Sequence, residues 1–130
     1  MKNIDIVRGY RSFGHEDVYA SNPATAIVEG DIIDANGDKV TLTDAHIECG
    51  ISIERNTTVD PGQKPSGMIP VYISNFVVRT KRFVPATYAV NEPVSVKDGM
   101  PSKVDNTNTI VWGYITKIGT DGSMDIRVNY

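Results

Sequence analysis

The chain has 130 residues, the usual size of one domain and enough to bury roughly two-thirds of its unfolded surface around one core, so no second domain is expected. Thirteen basic and sixteen acidic side chains leave a formal charge of -3, which supplies no positive field toward nucleic acid or an anionic membrane. Cys49 is the one cysteine, so an intrachain disulfide and a cysteine-based zinc site are excluded, and no cofactor is expected.

Residues 1–23 begin with an early acid, Asp5, and lack a long apolar run. This predicts neither a secretory signal nor a membrane span, and a protein that starts in a cytoplasm. Ile4, Ile6, Tyr10, Phe13 and Tyr19 are scattered there among polar residues. So few apolar side chains bury little, and the segment is expected to extend as an arm that orders against a partner, a frayed tail being the plain alternative.

The remainder, 24–130, is expected to be a β-domain. Seven prolines and eleven glycines leave few windows for a three-turn helix. Strands are predicted at 25–29, 31–34 and 39–43, the last two joined at Asn36-Gly37. Over 46–54, Ile47, Cys49, Ile51 and Ile53 alternate with His46, Glu48, Ser52 and Glu54, the pattern of a half-buried strand. A polar loop follows at 55–68, then a long strand over 69–79. Further strands are expected at 93–97, 102–104 and 109–118, with an Asp98-Gly99 turn after the first of them and Asp121-Gly122 before the last strand. Met124, Ile126, Val128 and Tyr130 share one face of that closing segment. The sum is an all-β fold, a small β-barrel or β-sandwich of short antiparallel strands with an extended N-terminal arm.

One pattern occurs twice. A strand, a tight Asn-Gly or Asp-Gly turn, a return strand, and a third strand with an internal glycine run over 31–53 (Gly50) and again over 93–118 (Gly113). The second copy ends in Thr109-Ile110-Val111-Trp112-Gly113-Tyr114-Ile115-Thr116, apolar on both parities, as in a strand covered on both sides. Trp112 and Tyr114 are candidate subunit contacts, because Trp and Tyr are enriched where interfaces carry most energy; core packing is the simpler role for Trp112.

Reactive constellations are sparse. Asp44, His46 and Glu48 alternate and could share a metal ion, but a closed site needs more ligands, the other histidine is His15 in the arm, and a solvated strand face explains the same residues. Cys49 lies three residues from His46, on the opposite face of a strand, and Ser52 has no Gly-x-Ser-x-Gly turn around it. The glycines sit in hairpins rather than in a phosphate-cradling loop before a helix. No enzyme is expected. Arg79, Lys81 and Arg82 beside Phe76 and Phe83 form the one basic and aromatic patch, the kind that single-stranded nucleic acid binders use. A charged strand edge that blocks aggregation accounts for the same three cations.

The segments Glu29-Gly30-Asp31-Ile32-Ile33 with Cys49-Gly50-Ile51-Ser52, and Glu92-Pro93-Val94-Ser95-Val96 with Ile110-Val111-Trp112-Gly113-Tyr114-Ile115, resemble bacteriophage head decoration (capsid cement) proteins. The similarity spans about residues 27–128 and lapses after residue 55, over the polar loop and the 69–84 stretch. It implies an all-β structural protein, made in the host cytoplasm, that binds the outside of an assembled capsid, often as a trimer, and clamps neighbouring copies of the major capsid protein. It brings no catalytic residues, and it places capsid or subunit contacts on the N-terminal arm.

Overall fold

Short runs rich in β-branched and apolar residues, several of them stopped by turns built from Gly, Asp or Asn, fold among the described residues as ten strands: β1 (Ile4–Gly9), β2 (His15–Ala20), β3 (Ile32–Asp34), β4 (Cys49–Ser52), β5 (Met68–Ile73), β6 (Phe76–Thr80), β7 (Pro93–Lys97), β8 (Met100–Lys103), β9 (Gly113–Ile118) and β10 (Met124–Val128). The computed structural model describes residues 4–9, 15–21, 25–43, 45–56, 68–73 and 75–130, among which there is no helix. The strands form two antiparallel sheets, a six-stranded one in the order β1-β6-β10-β9-β7-β8 and a four-stranded one in the order β2-β5-β4-β3. Both sheets are open, so the fold is sandwich-like rather than a closed barrel.

The doubled pattern builds one half of each sheet in the same way. In the second copy, β7 pairs with its return strand β8 on one side and with the glycine strand β9 on the other, and β9 pairs onward with β10. In the first copy, β3 bridges Lys39 of the return segment and pairs with β4, which pairs onward with β5. Each internal glycine lies opposite a residue of its unit's first strand, Gly50 opposite Ile33 and Gly113 opposite Val94. The turns differ in detail. Asp98 (φ 50°) and Gly99 (φ 78°) are both left-handed, as a two-residue type I′ hairpin requires, whereas at Asn36-Gly37 only Gly37 (φ 83°) is. There Asp34 Oδ1 accepts from the amides of Asn36 and Asp38 and closes the wider turn.

The return segment of the first copy does not become a full strand, because it crosses between the sheets. Lys39 pairs with Ile33 of the four-stranded sheet, while Leu42 N donates to Val96 O of the six-stranded one (2.8 Å). Ile32 N donates to Gly99 O and Gly99 N to Val40 O, both at 2.8 Å. Asn108, buried, donates from Nδ2 to Leu42 O and Val96 O and fills the gap that opens where β9 leaves β7.

Ile32, Cys49 and Ile51 meet Phe76, Val78, Val94, Val96, Trp112, Ile115 and Ile126 in the main core between the sheets. Alternation sends Ile33, Ile69 and Val71 to the other face of the four-stranded sheet, where they pack with Tyr19 and Ile27 in a second core. Asn56 ties the covering loop down by accepting from Ile27 N (2.8 Å) and donating to Thr25 O (2.7 Å).

Several expectations change here. The strand expected over 69–79 is two strands in different sheets, parted at Asn75, whose φ is +52°. The strand expected over 46–54 is shortened to β4 and is buried on both faces, because it is an inner strand with a core on each side; Ser52 is fully buried and donates to Val28 O (2.7 Å). No strand forms at 25–29, which becomes the cover of the second core. The stretch over 109–118 is a strand only from Gly113, and β9 alternates, with Gly113 and Ile115 inward and Tyr114 outward. The N-terminal segment contributes edge strands to both sheets, β1 on β6 and β2 on β5. Few apolar side chains suffice for it, because the backbone pairing comes from strands already in place.

A Cβ at Gly113 would lie 2.6 Å from Arg127 O, a backbone atom, whereas one at Gly50 would meet the side chains of Ile73 (2.7 Å) and Val71 (2.9 Å). Gly113→Ala is expected to lower stability by about 2–3 kcal/mol and Gly50→Ala by about 1–2 kcal/mol. Urea unfolding of both variants checks the order, and a neutral Gly113→Ala would refute the close approach of β9 and β10.

Candidate functional site

Each cation of the basic patch sits beside a carboxylate. Arg79 lies opposite Asp125 in the β6–β10 register and forks onto it, with Nε to Oδ1 at 2.9 Å and Nη2 to Oδ2 at 3.2 Å. Lys81 Nζ is 3.9 Å from Asp121 Oδ2, and Arg82 Nη2 is 2.7 Å from Asp31 Oδ1. Phe76 points into the main core, and Phe83 is half-buried edge-on to Tyr88, so neither offers an open stacking face.

Asp31 is the most enclosed charge in the described structure. Its side chain has no solvent exposure, and its Oδ2 accepts from Val28 N (2.9 Å) and lies 3.9 Å from Lys39 Nζ. Its backbone oxygen accepts from Ser52 N. Arg82 brings the end of β6 to this point, although its Nε is buried without a partner, so the pair is only partly compensated for leaving water.

The candidate site is a cleft of about 140 Å³ at the end of the main core. It is lined by His46 and Glu48 from the segment before β4, Cys49 at its start, Tyr72 and Ile73 of β5, Phe76 of β6, Trp112, Val128 and Tyr130. Tyr130 Oη accepts from Ile47 N (2.7 Å), and the His46 ring stacks on the Tyr130 ring at 4.4 Å and 10°. Tyr72 meets Phe76 edge-on, and Phe76 meets Trp112 edge-on. His46 and Glu48 are exposed at the mouth, while Cys49, Phe76, Trp112 and Val128 form the floor. Among the described residues no lysine or arginine lines the cleft.

Charge at the mouth shows in its neighbours. Burial first, then the carboxylates of Asp34 and Glu48, pushes the Cys49 thiol up to about 12. Burial and then Glu48 likewise raise the Tyr19 phenol above its ordinary value. Burial also raises Tyr130, against the opposing hydrogen bond from Ile47. Cys49 therefore keeps its proton at neutral pH, which removes the thiolate that a nucleophile requires. Among the described residues no three His, Cys, Asp or Glu side chains converge as metal ligands; Asp44 lies outside those residues.

The other sequence candidates are dispersed. Ile4 (4% exposed) and Tyr19 (4%) are buried in the chain's own main and second cores rather than turned outward. Tyr10, Phe13 and the side chain of Ile6 lie outside the described residues. Trp112 is a core residue at the cleft floor, and Tyr114 stands 42% exposed on β9. Sequence reasoning missed Asp31, Tyr72 and Tyr130 as site residues, because each acquires its role from a partner far away in the chain. No protein-family model, curated protein or solved structure matches this chain.

Asp31→Asn is expected to cost about 3 kcal/mol, since it strands Arg82 partly buried, whereas Lys81→Ala is expected to stay within about 0.5 kcal/mol. Chemical denaturation of the two variants measures the difference. Cys49 supplies a pH signature: its folded value lies above its ordinary value of 9.0, so the native state holds a proton that the unfolded chain releases. Its contribution is complete below about pH 9 and is lost toward pH 12, at up to about 1.4 kcal/mol per pH unit. Denaturation between pH 8 and 11 should show that loss, shallower in Cys49→Ala; an unchanged slope in the variant would contradict it.

Proposed function

We propose that this chain is a structural virion protein that binds the outer surface of an assembled phage capsid and stabilises it, as a decoration or cement protein does. The observation that carries the reading is the doubled strand, turn and glycine-strand unit. The residues that resemble the decoration family are the ones that build the matching halves of the two sheets.

The chemistry of the chain supports it. The basic patch is internally paired, Cys49 is held as a thiol, and Ser52 is sealed in the sheet, so these side chains serve shape rather than reaction. Contact surface is available elsewhere. Val18 (50% exposed) and Met68 (54%) lie close together on adjacent strands β2 and β5, where Ala20 faces Met68 and Val18 faces Pro70. Tyr114 and Ile118 (45% exposed) line β9 on the other sheet. Small apolar patches of this kind, repeated over many copies on a lattice, add weak contacts into firm attachment. The partner is the major capsid protein, and a trimer is the favoured oligomer.

The full chain is expected to co-sediment with assembled capsids of the phage that encodes it at a fixed copy number, and not with unassembled capsid subunits. Val18→Asp combined with Met68→Glu should weaken that binding at least tenfold while leaving the fold intact by circular dichroism. Absence of capsid association by the wild-type chain would sink the reading. Salt-sensitive binding to single-stranded nucleic acid that falls on Arg79→Ala or Lys81→Ala would replace it.

A further inference from the structure

We infer that the aromatic cleft beside β4 is a receptor for a lysine side chain presented by the protein partner. The inference deepens the capsid reading, by naming the chemistry the partner surface would offer.

Shape comes first. A cavity of about 150 Å³ admits a benzene ring, so the 140 Å³ here has room for the four carbons and one nitrogen of a lysine side chain. The walls suit the two ends of that group differently. Ile73, Val128 and the buried parts of Phe76 and Trp112 would receive the methylenes. Tyr72, Trp112 and Tyr130 supply π-systems, Tyr130 with one face already covered by His46, and the negative face of such a ring attracts an ammonium ion, tryptophan most strongly.

Charge then selects a cation over a neutral guest. Glu48 is exposed at the mouth and makes no ion pair among the described residues. Among the described residues no lysine or arginine lines the cleft, and the one basic group beside Glu48 is His46, whose ring is stacked on Tyr130. Behind burial and Asp34, the Glu48 carboxylate also raises the proton affinity of the Cys49 thiol on the cleft floor, in keeping with its place beside the cleft. A partner's ammonium would therefore reach the mouth as the missing counter-ion, with its chain laid on an apolar floor.

The floor also provides the reporter. Trp112 is the single tryptophan of the chain, so intrinsic tryptophan fluorescence reads the cleft alone. The test titrates the full-length protein with Nα-acetyl-lysine methylamide, and in parallel with Nα-acetyl-norleucine methylamide, which keeps the aliphatic chain and lacks the ammonium. The lysine analogue is expected to give a saturable change with a dissociation constant in the millimolar range. The norleucine analogue should bind at least about fivefold more weakly, and Glu48→Gln should weaken the lysine analogue by about five- to tenfold. Because residue 48 is exposed, that variant is expected to fold, which circular dichroism verifies. Equal binding of the two analogues, an unaffected Glu48→Gln, or the absence of a saturable response would each overturn the assignment. The titration uses no capsid. Lysine binding without capsid association would defeat the proposed function and leave the cleft assignment standing, and capsid association that is indifferent to Glu48→Gln, with no lysine response, would do the reverse.

Discussion

A single buried carboxylate holds the two sheets in relation to each other. Asp31 stands where the loop covering the second core turns into β3, and its oxygens take Val28 N from that loop and Arg82 from the end of β6. Its backbone oxygen meanwhile fixes Ser52 at the end of β4. A carboxylate with no exposure is tolerable only when its lone pairs are met by donors and its charge by a cation. The loop, β4 and the end of β6 must therefore arrive together, and an ion pair that adds modest net energy still dictates one arrangement of the sheets. Arg82 is partly exposed, and its Nε lacks a partner, so the tie is one of position more than of strength.

The second constraint is the need to satisfy backbone groups where two open sheets part company. In a sandwich the strands at the seam lose a neighbour, and unpaired amides and carbonyls there would be costly. This chain uses the return segment of its first unit as the seam, bonded to Ile33 on one side and to Val96 on the other, with Asn108 closing the last gap. The two copies of the pattern are thus unequal. The second forms a full hairpin through its type I′ turn, and the first gives up its return strand to join the halves.

These constraints also place the cleft. Trp112 comes just before β9, Tyr130 lies two residues past the end of β10, and His46 to Cys49 lead into β4, so the cleft lies where strands of both sheets start or end. Its aromatic rings hold one another edge-on or stacked, and the Tyr130 hydroxyl takes the Ile47 amide that has no strand partner. A π-rich recess beside an exposed carboxylate is the consequence of ending two sheets at one place. The basic patch has the opposite fate, since antiparallel register puts Asp125 directly across from Arg79 and spends the cation within the sheet.

The sequence by itself determined the all-β class, the hairpin turn at Asp98-Gly99, and the inward and outward faces of β10, because these follow from local steric preference and a period of two. Asn-Gly, Asp-Gly and alternating Ile, Val and Met act within a few residues of themselves. The tertiary structure alone decided that β4 is covered on both faces, that 69–79 breaks into strands of different sheets, that Ile4 and Tyr19 turn into the chain's own cores, and that Arg82 is matched to Asp31, 51 positions away. Alternation reports whether a strand has two different sides, but not whether a second layer will cover the polar one, as happens at Ser52. Pairing of charges and assembly of a cleft depend on which distant strands become neighbours, and no local pattern at Asp31, Tyr72 or Tyr130 encodes that.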